Sequence, residues 1–147
     1  MLVRQEDTKL TVGRVLRQVP YLAGIVIGYL IIAVIDVTAF GSVLMNITLP
    51  SGGIWVFSVG DLILLIGLFM LFGEILKATR TSRVSVADHS MSLITFVICL
   101  ICFLLWNACA TSIFFLLMIM TLVDVMAGFT VSLSGARRDI DMTSATM

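Results

Sequence analysis

Three aspartates, Asp36, Asp61 and Asp124, stand inside otherwise apolar stretches, and solvation alone does not explain them. A carboxylate facing lipid costs roughly 2.5 kcal/mol or more, so each is expected to turn inward. No Lys, Arg or His shares those apolar runs. The acids must therefore be protonated, hydrated, bound to a cation, or paired with a basic residue of another protein. One use is a proton or cation site inside the protein. The other is structural: a carboxyl hydrogen-bonded to a nearby Ser, Thr or Tyr holds helices together.

Other chemistry-bearing residues are sparser. Cys99-Leu-Ile-Cys102 has the spacing of a metal or redox pair, but no second pair and no histidine in the apolar runs completes a site. Thr95, Cys99, Cys102 and Trp106 instead form an i, i+4, i+7, i+11 seam, which suits close helix packing. His89, the single histidine, lies beside Asp88 in a polar segment and reads as solvated. Haem held by two histidines is excluded, and no metal site or cofactor is expected. Glu74 and Lys77, three apart, read as a surface ion pair. Asn46-Ile-Thr48 fits a glycosylation sequon but abuts an apolar run. The sequence contains no phosphate-binding glycine loop, nucleophile elbow or metalloprotease helix signature. Enzymatic activity is not expected.

The elements that must position these residues follow from hydropathy. Of the 147 residues, 60% are hydrophobic and 12% charged, with mean hydropathy +1.15. That leaves too little polar surface to coat a water-soluble globule. The formal net charge is zero, so no basic excess points to nucleic acid. A helix needs about 20 apolar residues to cross the hydrocarbon core. Runs at 21–45 and 54–76 meet that length, and the first is too long for a cleaved signal's apolar core. The run 91–133 would be roughly 65 Å long as one helix, so it must fold back. The polar cluster after Trp106 is the natural turn, giving spans at 91–108 and 111–133.

The chain is thus expected to be all-α: a four-helix membrane bundle of two antiparallel transmembrane hairpins, 21–133. Residues 1–20 form a cytoplasmic segment, with 8–19 a short interfacial amphipathic helix ended by Pro20. Residues 134–147 form a polar cytoplasmic tail, expected to be disordered from Asp139 onward. All nine basic residues then fall on one face, which the positive-inside rule makes cytoplasmic for both termini. In this frame Asp36 and Asp61 sit about 5–6 Å outward of the midplane and Asp124 near it. Gly24, Gly28, Gly60, Gly67 and Gly128 mark helix faces able to pack closely.

The function expected from this pattern is a non-enzymatic accessory or assembly subunit of a larger membrane complex. Its partners would be membrane lipids and other membrane subunits, or further copies of itself. The alternative is a small oligomeric proton- or cation-coupled transporter or channel using the aspartates. The short chain, free of sorting signals, fits a bacterial inner (plasma) membrane.

Overall fold

The structure, a computed structural model, describes residues 20–80 and 86–144. The expected interfacial helix at 8–19 lies outside them. The described chain runs α1 (Tyr21–Ile35), a 3-10 turn (Val37–Gly41), β1 (Val43–Thr48), β2 (Ile54–Ser58), α2 (Val59–Arg80), α3 (Val86–Leu105), a second 3-10 turn (Asn107–Cys109) and α4 (Ser112–Ser144). The protein is mostly helical. Within α2, Val59–Ala78, and within α4, Ser112–Thr130, are long and apolar enough to cross a membrane. Tyr21–Ile35 and Ser90–Leu105 are apolar but shorter.

The first apolar run does not stay helical to residue 45. At Asp36 the backbone turns extended (φ −161°, ψ 104°), and its carboxylate Oδ1 accepts from the Thr38 amide at 2.8 Å and the Thr38 hydroxyl at 2.7 Å. A short acid that satisfies local donors competes with helix continuation. The chain beyond it pairs β1 against β2 antiparallel, with Met45 opposite Phe57 and Ile47 opposite Trp55. Pro50, Ser51 and Gly52 make the connection, and Gly52 takes a positive φ of 83° that glycine adopts without strain. The Gly52 amide closes on the Leu49 carbonyl, and Val59 N–H donates to Ser42 at the hairpin's base. Residues 54–58, expected to begin the second span, are therefore strand, and α2 starts at Val59.

The far end differs too. α4 continues to Ser144 instead of ending near Leu133. Extending an existing helix adds one hydrogen bond per residue without a new nucleation cost, and Ala136, Arg137, Arg138 and Met142 are good helix formers.

The core gathers around Tyr29, Phe114, Leu117, Cys99 and Cys109, all 0% exposed. Large apolar side chains point outward all around it, among them Ile35 (78% exposed), Phe69 (68%) and Leu105 (82%). Glycine admits the close approach of α2 to α4. A Cβ at Gly60 would collide with Ile113 Cδ1 and stand 3.2 Å from the Phe40 carbonyl oxygen; one at Gly67 would stand 3.0 Å from Leu117 Cδ2. Gly24 and Gly28 have nothing within 4 Å of that position, and Gly128 is buried. Gly60→Ala is accordingly expected to cost about 1–3 kcal/mol, as overpacked sites do, whereas Gly24→Ala stays near neutral. Unfolding midpoints of the two variants in one detergent check this, and equal midpoints would contradict it.

Candidate functional site

The three aspartates occupy three different settings. Asp36 is exposed and caps the 3-10 turn, and the two Thr38 donors hold its carboxyl below the usual range. Asp61 lies in the first turn of α2. Its Oδ2 accepts from the Ser58 amide at 2.8 Å and hydroxyl at 2.6 Å, while Ser58 Oγ accepts from the Asp61 amide at 3.3 Å. This is a reciprocal capping box with aspartate in the glutamate's place, signalled in sequence by Ser58-Val-Gly-Asp61 before an apolar run. Asp124 stands twelve positions into α4, about 18 Å from its start, whereas Asp61 is within one turn of the start of α2. The three acids are therefore not drawn into one cluster. The shared depth expected for them depended on counting 54–58 as helix.

The buried acid is one that the sequence places elsewhere. Glu74 is only 8% exposed, on the core side of α2. Its Oε1 accepts the backbone N–H of Tyr21 at 2.6 Å, across 53 residues of chain. The first amides of a helix need external acceptors, and Pro20 at the N-cap of α1 supplies no side-chain bond. Glu74 on α2 thus caps α1. Lys77, its expected surface partner, lies with its ammonium 5.4 Å above the Tyr21 ring. Asp124 and Lys77 are both within electrostatic reach of Glu74. Its second oxygen, Oε2, is fully buried and has no hydrogen-bond partner. An acid spaced i, i+3 from a lysine at the end of an apolar run looks like surface; only the tertiary position of α1 reveals otherwise.

At the opposite end, the hairpin presents two unlike faces. Met45, Ile47, Trp55 and Phe57 share one, with Trp55 and Phe57 in an edge-on contact at 5.6 Å. Asn46, Thr48, Ile54 and Val56 share the other. No charged residue occurs between Asp36 and Asp61, yet the strands are mostly exposed. Beneath the hairpin, Tyr29 donates to the Ala108 carbonyl at 3.2 Å and bonds to the Thr111 hydroxyl at 2.6 Å. Thr111 Oγ1 also caps α4 by accepting the Phe114 amide at 3.1 Å. A shallow groove of about 300 Å³ lies nearby between Phe103, Ala110, Thr111, Ser112 and Phe115.

Cys99, Cys102 and Cys109 are free thiols, the first and last buried in the core. Among the described residues, no three His, Cys, Asp or Glu side chains are gathered to hold a metal ion. Comparison with protein-family models, curated proteins and solved structures finds no match.

Proposed function

We propose that this chain is a multi-pass protein of a bacterial inner membrane, a four-helix bundle with both termini and the α2–α3 connection cytoplasmic. It acts as a non-enzymatic accessory or assembly subunit, docking a second membrane protein through the aromatic face of its outer hairpin. The observation that carries this reading is the exposed, uncharged surface of Met45, Ile47 and Trp55, with half-buried Phe57 on the same face. Contiguous apolar surface outside a core marks interaction sites. Tryptophan and other aromatics are the anchors such interfaces favour. The hairpin's free backbone edges cannot be immersed in hydrocarbon without leaving polar groups unsatisfied. A partner's membrane-proximal segment covers such a face better than lipid tails do.

A photo-crosslinker placed at Trp55 is expected to trap one protein species in intact cells, and the double variant Trp55→Ser, Phe57→Ser to release it. The variant itself should fold, because those side chains stand outside the core. A chain that purifies alone and drives cation or proton flux in proteoliposomes would instead establish the second reading, a small proton- or cation-coupled transporter. The buried Glu74 beside Asp124 is what favours that alternative.

A further inference from the structure

We propose that Glu74 forms a binding site for one exchangeable proton, seated on its Oε2 at the N-terminal end of α1. This goes beyond docking and does not depend on it. Glu74 is 8% exposed, its Oε1 is committed to the Tyr21 amide at 2.6 Å, and its Oε2 is buried with no partner. A buried polar oxygen left unpaired is costly, and a carboxylate in that position more so. A proton on Oε2 removes the charge and turns the orphaned acceptor into a donor.

The charges around the site are few. Glu74 is faced by Asp124 from α4, by the amides at the start of α1, and by Lys77 one turn along α2. Among the described residues, the cations bearing on it are thus one ammonium and the partial positive charge of a helix N-terminus. In binding, a hydronium ion transfers H⁺ to Oε2, forming the O–H bond and leaving water. Release reverses the transfer. While Oε2 is protonated, Oε1 remains an acceptor for Tyr21, so α1 stays capped in both states. Capping through a neutral group is weaker than through a carboxylate, so proton occupancy adjusts how firmly α1 is held.

Infrared difference spectroscopy on the full chain in phosphatidylcholine vesicles tests the site. The expected result is a carbonyl band of a protonated carboxylic acid at neutral pH, shifted by deuterium exchange and removed as a single titration on raising pH. Glutamate isotope labelling should displace it, because the chain contains only Glu6 and Glu74. Glu74→Gln should abolish it, and Asp124→Asn should move its titration. Only ionised carboxylate bands at neutral pH would overturn the proposal, as would a band indifferent to glutamate labelling or to pH. Loss of the band with sodium chloride but not choline chloride at fixed pH would overturn it in favour of a cation site. Should Glu74→Gln lose helicity by circular dichroism, the labelled wild-type titration alone decides.

Discussion

Replacing Tyr29 with alanine is expected to lower the stability of the fold by about 3–5 kcal/mol, the range for emptying a fully buried aromatic site. Tyr29 is 0% exposed and stacks on Phe40 with ring centroids 4.3 Å apart and planes within 5°, while meeting Phe114 at 4.9 Å. One side chain therefore joins α1, the 3-10 turn that leads to the hairpin, and the start of α4. Its hydroxyl adds bonds to Ala108 and Thr111 in the turn between α3 and α4. Tyr29→Phe separates the two contributions. It keeps the stacking and loses only the hydroxyl bonds, which across membrane helices average about 0.6 kcal/mol and rarely pass about 1.7. Denaturant midpoints in a common detergent should thus place the phenylalanine variant much nearer wild type than the alanine variant. If both variants fall equally, the hydroxyl network and not the ring stack holds this end of the molecule together.

The residues that organise the hairpin end were partly legible in the sequence. Apolar runs with a polar break at Asn107–Thr111 locate α3, α4 and the turn between them, because hydropathy reports burial or lipid contact directly. The hairpin was hidden by the same measure. Val43 to Thr48 and Ile54 to Ser58 are as apolar as the helices beside them, and short apolar runs do not reveal their period. The signals against a continuous span were chemical instead: β-branched and aromatic enrichment, and Pro50-Ser-Gly-Gly between the strands. Gly60 and Gly67 stood out as a stripe, but only the packing of Ile113 and Leu117 tells them from Gly24 and Gly28, which face open space. Asp61 needed its capping partner Ser58, three residues upstream, to be read as a helix start. Glu74 could not be recognised locally at all, since its partner lies 53 residues away.

That long-range cap makes Glu74 the second position of large effect. Glu74→Met preserves volume and apolar contacts but removes the acceptor of the Tyr21 amide, so the N-terminal end of α1 is left with unsatisfied donors. Loss of the hydrogen bond and a buried donor left unsatisfied together are expected to cost about 3 kcal/mol. Glu74→Gln keeps an oxygen in the place of Oε1, so it should lose about 1 kcal/mol or less. The loss should be local before it is global. Leu22 and Val26 tie α1 to the rest of the core, and the fewer bonds hold its first turn, the sooner its amides exchange. Hydrogen exchange by mass spectrometry should show faster exchange at the start of α1 in Glu74→Met, with α4 protected as in wild type. Unchanged protection of Tyr21 and its neighbours would mean that something other than Glu74 closes this helix. Equal destabilisation by Gln and Met would place the effect in the other surroundings of the carboxyl group, and not in the hydrogen bond to Tyr21.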